Sequence, residues 1–197
     1  MLKIYMTDHL PAFTEEETEK LLRAMPDERR KKALSYRFLK DRYLCIEAYR
    51  LLHEGLKADF CISSYPRFDY TDRGKPMLRD YNGIHFSLSH CDRGVACAIS
   101  DREVGIDMET IQNDVDHDLY RLCLSGEETE KVKCADNPAL EFTSLWTKKE
   151  AYLKLTGEGL TDNLPALFTP KILRNTTFST MEYPQQGFVV TVCTFKY

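Results

Sequence analysis

No two cysteines stand in a Cys-x-x-Cys pair in this 197-residue chain; its seven (Cys45, Cys61, Cys91, Cys97, Cys123, Cys134 and Cys193) are odd in number and scattered. That pattern argues against a disulfide framework and against a zinc site, and for reduced thiols in a cytoplasmic protein. Long apolar runs are missing too: nothing approaches the roughly 20 residues of a membrane-spanning helix. The start, Met1 to Asp8, lacks the apolar core and small-residue cleavage site of a signal peptide. A cytoplasmic location without a membrane partner is therefore expected. Positive charge is in short supply overall, with a formal net charge of −4, so the basic footprint of a nucleic-acid binder is absent.

What remains is ordinary for a folded protein, at 43% hydrophobic and 29% charged residues. The length suits one larger domain or two small lobes with a proper core. The charge is uneven. Between positions 23 and 50 stand Arg23, Arg29, Arg30, Lys31, Lys32, Arg37, Lys40, Arg42 and Arg50 against few acids. The default reading is a solvated helix face, with room for an anion site.

Residues 2 to 6 alternate as a short strand. Thr14 and Glu17 form a capping box opening a helix to about Met25. Pro26-Asp27-Glu28 starts a second, basic helix running toward Leu39. A third helix begins at Asp41 and ends near Gly55, read as its C-cap. From Gly83 to Glu109 the apolar period falls to two, and three segments separated by turns at Cys91–Gly94 and Ser100–Arg102 read as a three-stranded antiparallel meander. Ser125 with Glu128 is a further capping box. Asn137-Pro138 opens a long helix to about Gly157. A hairpin of Thr176–Tyr183 with Phe188–Phe195 closes the chain. The order of strands and helices is that of an α+β protein. No literal repeat is present, but each half pairs helices with a short sheet, which divides the chain into lobes 1–104 and 105–197.

Two segments carry the chemistry. In Gly105-Ile106-Asp107-Met108-Glu109 the carboxylates lie two residues apart. On a strand they share a face about 6.6 Å apart and repel by roughly 2.5 kcal/mol at an effective dielectric of about 20. An exposed strand face screened by water is the plain alternative. In Trp146-Thr147-Lys148-Lys149-Glu150-Ala151-Tyr152-Leu153-Lys154, Glu150 has Trp146 and Lys154 one turn away on either side. The plain alternative here is a surface Glu–Lys pair. Taken together, three acids and a lysine fit Mg²⁺, which prefers hard oxygen ligands and substrate phosphate. Ser89-His90 ends a strand beside a turn, and Gly74-Lys75-Pro76 is a turn that presents a lysine. Neither means much alone.

In this order, the basic segment Pro26–Lys31, Asp41-Arg42, Gly74-Lys75-Pro76, Phe86–His90, Gly105–Glu109 and Trp146–Lys154 resemble the Sfp-type 4′-phosphopantetheinyl transferases across nearly the whole chain. The resemblance implies two α+β lobes related by a pseudo-twofold, a monomer, with coenzyme A and Mg²⁺ in the cleft between them. It implies transfer of the phosphopantetheine arm of coenzyme A to a serine of an apo acyl or peptidyl carrier protein, as in fatty-acid, polyketide or nonribosomal peptide biosynthesis. By match, Asp107, Glu109 and Glu150 hold the metal, Glu150 and Lys154 are catalytic, and Lys154 also touches the phosphates. Gly74, Lys75 and Pro76 border the adenine; Ser89 and His90 line the nucleotide and phosphate region; Lys31 and Arg42 meet the 3′-phosphate. Carrier proteins are expected to dock along Ile111 to Leu122. One departure stands out: Glu28 occupies a position where the best-known member has lysine, and Arg29 or Lys32 is the expected substitute.

Two other readings use the same residues. A Mg²⁺-dependent nucleotide pyrophosphohydrolase needs only the acids and leaves the basic helix and the Gly-Lys-Pro turn without a role. A non-catalytic carrier-binding module needs neither the intact acids nor Lys154, yet both are present.

Overall fold

The computed structural model describes residues 1–10, 14–113, 117–159, 161 and 163–196. The chain runs β1 (Leu2–Thr7), α1 (Glu15–Ala24), α2 (Asp27–Leu34), α3 (Leu39–Phe60), β2 (Phe68–Tyr70) and β3 (Pro76–Leu78). It continues with β4 (His85–Cys91), β5 (Gly94–Ser100), β6 (Val104–Thr110), α4 (His117–Cys123), α5 (Gly126–Cys134) and α6 (Pro138–Thr156). A single 3-10 turn at Leu164–Ala166 precedes α7 (Pro170–Asn175), β7 (Thr176–Tyr183) and β8 (Phe188–Phe195). This is a mixed arrangement of helices and three antiparallel sheets, in line with the α+β reading.

Local signals set most boundaries. Thr14 caps α1 by accepting the Glu17 amide, which offsets one of the four orphan N–H groups of a helix start at about 1 kcal/mol. Ser125 and Glu128 close a full capping box on α5. Asn137 caps α6, Pro138 fills its first turn, and Gly157 ends it with φ +71°, a left-handed residue that glycine adopts without steric cost. The terminal hairpin pairs Thr176 with Phe195 and Tyr183 with Phe188 around the Pro184–Gly187 turn.

Two expectations fail. Gly55 is not a cap, because α3 continues to Phe60 and turns out at Cys61. A Cβ on Gly55 would lie 2.6 Å from the Tyr5 ring, so this glycine serves a close packing contact. Nor do residues 83–109 form a meander. β4 pairs with β5, but β6 pairs with β8, and the place beside β5 is taken by β1. The sheets are therefore β1-β5-β4 and β6-β8-β7, with β2-β3 as a small third ribbon.

Burial explains the exchange. On β5, Cys97 and Ile99 pack with α3 residues Tyr49, Leu52 and Leu56, while Ala96 and Ala98 face the other way onto Ile106, Met108, Val190 and Val192. β5 is buried on both faces and sits centrally in its sheet. On β6, Val104, Ile106 and Met108 join that shared apolar layer, leaving Gly105 and Asp107 to face α6. In the first sheet a strand, a long helix and a hairpin follow one another as β1, α3, β4, β5. In the second the order is β6, α6, β7, β8, and the strand orders β1-β5-β4 and β6-β8-β7 correspond.

Candidate active site

The site grows from the contact between β6 and α6. A Cβ on Gly105 would lie 1.9 Å from the carbonyl oxygen of Ala151 and 2.5 Å from the amide nitrogen of Leu155. Only a residue without a side chain lets the strand lie this close to the helix. The approach brings Asp107, two residues along β6, against the turn of α6 that bears Glu150 and Lys154.

On its other side β6 lies beside β4, yet the two share no backbone ladder. Serine hydroxyls take the place of the carbonyls. Ser87 Oγ accepts the Ile106 amide at 3.0 Å and Ser89 Oγ accepts the Met108 amide at 3.1 Å. Ser89 then donates to Asp107 Oδ1 at 2.9 Å. Lys154 Nζ reaches Ser89 Oγ at 2.8 Å and Asp107 Oδ1 at 2.7 Å. Ser89 thus uses its one donor and both acceptor positions, and Asp107, Ser89 and Lys154 form one network.

Asp107 is 5% exposed, and its second oxygen, Oδ2, is buried with no partner. A buried, unsatisfied carboxylate oxygen is costly. Burial raises the Glu109 carboxyl above the ordinary carboxylate range, and the charge of Asp107 adds to the rise, while the Thr110 amide and Lys154 oppose it. Glu150 is raised in the same way, first by burial, then by Asp107 and Glu109 against the pull of Lys154. The acids therefore feel one another across β6 and α6. They do not converge into a finished chelate: Glu109 Oε1 accepts the amide of Thr110 at 2.9 Å, and no group of three His, Cys, Asp or Glu side chains gathers to hold a metal among the described residues.

A cavity of about 280 Å³ opens beside this network, lined by Arg73, Gly74, Lys75 and Pro76 from the first half, Phe86, Ser87 and Leu88 of β4, and Glu150, Leu153, Lys154, Gly157 and Gly159 from the second. It brings the Gly-Lys-Pro turn and the Glu–Lys helix to one wall. A second, more polar cavity of about 410 Å³ adjoins Glu109 and is lined by Asp41, Leu44, His90, Cys91, Asp92, Thr110 and Gln112 as well. Burial, then the charge of Lys154, lowers the His90 imidazole below its ordinary value.

The basic segment is less simply arranged than its sequence implies. Lys31 is exposed on α2. Arg42 spends its Nε on the Tyr36 carbonyl at 2.7 Å, and neither residue lines the two cavities. Arg29, offered as a substitute for the lysine replaced by Glu28, points inward. It is 9% exposed, with its guanidinium 5.0 Å from both the Tyr49 and the Phe68 ring centres. Lys32 is exposed and lies over Tyr36. Of the segment Ile111–Leu122, residues 114–116 lie outside the described residues.

Sequence reasoning passed over three residues. Ser87 repeats the Ser89 arrangement two residues earlier on the same strand face, a period-two signal that was available. Lys149, beside Glu150, is fully buried and reaches Glu128 Oε2 and the Leu164 carbonyl, both at 2.8 Å. Glu103 binds Lys75 and His85. Nothing local in the chain marks the last two.

Residues 103–192, which contain the acidic strand and the helix of Glu150 and Lys154, match the family model of the 4′-phosphopantetheinyl transferase superfamily. The resemblance drawn from the motifs is thereby borne out. Among curated proteins the chain is similar to the 4′-phosphopantetheinyl transferase psf-1 of Bacillus pumilus, 35% identical over 53% of this chain and 45% of that protein. It is 37% identical to HetI of a Nostoc strain over 48% of this chain and 43% of that protein. With Sfp of Bacillus subtilis it shares 26% identity over 81% of this chain and 72% of that protein. The matches to the first two cover less than half the length of those proteins.

Proposed function

We propose that this protein is a 4′-phosphopantetheinyl transferase of the Sfp type, moving the phosphopantetheine arm of coenzyme A to a serine of an apo carrier protein and releasing 3′,5′-ADP. The observation that carries this reading is the cavity walled jointly by Gly74-Lys75-Pro76 and by Glu150 and Lys154, next to the Asp107–Ser89–Lys154 network. A nucleotide bordered by the first group has its diphosphate at the second. Lobes 1–104 and 105–197, related by a pseudo-twofold, are part of the proposal, and the matching strand order of the two main sheets supports it.

Asp107, Glu109 and Glu150 would hold Mg²⁺. The orphan Oδ2 of Asp107 and the mutual repulsion of the three acids fit a hard cation. When bound, the ion supplies positive charge to the diphosphate.

The protein's own groups divide the remaining work. Lys154, held between Ser89 and Asp107, is placed to meet phosphate charge that grows on the leaving group. Glu150, directly or through a water relayed to it, is the acceptor for the carrier serine's proton. The serine oxygen forms its bond to the phosphorus next to the pantetheine, and the bond to the bridging oxygen of 3′,5′-ADP breaks, so positioning and electrostatics carry the step. Ser89 and His90 would line the nucleotide and phosphate region, with Lys31 and Arg42 at the 3′-phosphate end.

No helix among the described residues is long and apolar enough to cross a membrane; a cytoplasmic monomer working on acyl or peptidyl carriers is part of the proposal. Incubation with coenzyme A, Mg²⁺ and a panel of apo carriers, followed by intact mass, tests the reading. One carrier gaining a single phosphopantetheine supports it. Hydrolysis of the nucleotide with no carrier modified overturns it.

A further inference from the structure

Lys75 sits in the Gly-Lys-Pro turn, where the expected role is to border the adenine. Its ammonium is engaged elsewhere. Nζ donates to the Leu155 carbonyl at 2.7 Å and to Glu103 Oε2 in a close ion pair, and its side chain is only 14% exposed. The other oxygen of Glu103 lies 3.1 Å from His85 Nδ1. The lysine stem passes over Gly157, where an added Cβ would stand 3.0 Å from Lys75 Cδ. Four pieces of chain meet around the Lys75–Glu103 pair: the 71–75 turn, the connection between β5 and β6, the end of α6 through Lys75, and the start of β4 through Glu103.

The Leu155 carbonyl is one of the last four of α6 and has no partner within the helix. It also lies at the negative end of the helix dipole, where a cation is favoured. Leu155 directly follows Lys154 and comes five residues after Glu150. An ordinary surface ion pair contributes little, but this one is largely buried on the lysine side and satisfies a helix-end carbonyl as well.

We propose that Lys75 is a positioning residue: its ammonium fixes the C-terminal turn of α6, and with it Lys154 and Glu150, against the Glu103 connection. Its kinetic part rests on the transferase reading above. The backbone of the turn remains free to border the nucleotide; the charge of Lys75 serves the protein's own helix. Without it, the last turn of α6 loses the contact that holds Lys154 against Ser89 and Asp107.

The test compares Lys75→Met, Lys75→Arg, Glu103→Gln and the double variant Lys75→Met/Glu103→Gln. With coenzyme A and an apo carrier, Lys75→Met is expected to lower kcat about tenfold, the scale of a small misplacement of reacting groups, with the coenzyme A KM within about twofold of the parent. Lys75→Arg restores part of the rate. Glu103→Gln, whose side chain does not line the cavity of about 280 Å³ beside Glu150 and Lys154, lowers kcat in the same way, and the double variant is no slower than Lys75→Met. Melting temperatures, read without ligand, fall by about 3 °C in Lys75→Met and in Glu103→Gln, and the double variant melts no lower than the less stable of these two. A raised KM at unchanged kcat makes the ammonium a nucleotide ligand and overturns the proposal, as do additive losses in melting temperature. If the parent transfers nothing, the transferase reading fails, and the melting cycle alone decides the tether: non-additive losses uphold it, additive losses overturn it.

Discussion

Gly105 and Ala151 approach so closely that any side chain on the glycine would collide with the carbonyl oxygen of the alanine, 1.9 Å from an added Cβ. The collision partner is helix backbone, which cannot swing aside. Gly105→Ala must therefore push β6 away from α6. The expected cost is about 3 kcal/mol, the upper part of the range for overpacking, seen as a fall in melting temperature together with loss of transfer. A variant that melts with the parent and keeps its rate would show that the contact is not what sets the site.

Asp107→Asn and Glu150→Gln are expected to fold and to lose transfer by at least about 100-fold, measured as conversion of an apo carrier to its holo form. Near-normal turnover by either removes that residue from the proposed metal set.

Glu150 also predicts a gain in stability. Its folded-state carboxyl is raised, chiefly by burial, so its ionisation opposes folding: below the ordinary carboxylate range it contributes no penalty, and the penalty grows as pH rises through the raised value. In a chelator, Glu150→Gln should melt no lower than the parent at neutral pH, with its advantage shrinking in acid. A variant that melts several degrees lower at neutral pH contradicts this sign.

The same carboxyls predict how the metal requirement depends on pH. Glu109 and Glu150 are both raised, and a proton on either competes with the cation. The Mg²⁺ concentration for half-maximal transfer should fall as pH increases from about 5 to about 8. A requirement that is flat over this range argues against those two ligands.

Lys149 tests the support beneath the site. It is fully buried and paired with Glu128, which also caps α5. Removing one member of a buried pair costs about 3–5 kcal/mol, so Lys149→Met should lower urea-unfolding stability by that amount. Lys149 Nζ also lies 5.4 Å from the centre of the Phe168 ring. Adding Glu128→Gln should recover part of the loss; no recovery would mean that the Leu164 carbonyl and this ring, not the ion pair, are what Lys149 holds.

Much of this arrangement was readable from the chain because its signals are local. Thr14, Ser125, Asn137 and Gly157 each mark a helix end within a few residues, and the turn Pro184-Gln185-Gln186-Gly187 marks the β7–β8 hairpin. Gly55 misled because glycine serves two purposes, and the contact with Tyr5 that decides between them spans 50 positions. The partner of β6 was hidden for the same reason. Neighbouring strands usually pair, and only the two-sided burial of β5, with Ala96 and Ala98 against Ile106 and Met108 and with Cys97 and Ile99 against α3, shows why this one does not. At the site, the spacing of Asp107, Glu109, Glu150 and Lys154 was visible, whereas the inward turn of Arg29 depends on Tyr49 and Phe68 meeting around it.

The hydroxyl rungs between β4 and β6 have a mechanical consequence. A backbone ladder fixes register in whole-residue steps, since a slip by one position turns every side chain to the opposite face. Ser87 and Ser89 instead grip the neighbouring strand through rotatable bonds. The hydrogen-bonded joint between the two main sheets therefore rests on side-chain contacts, while each sheet keeps its own backbone pairing.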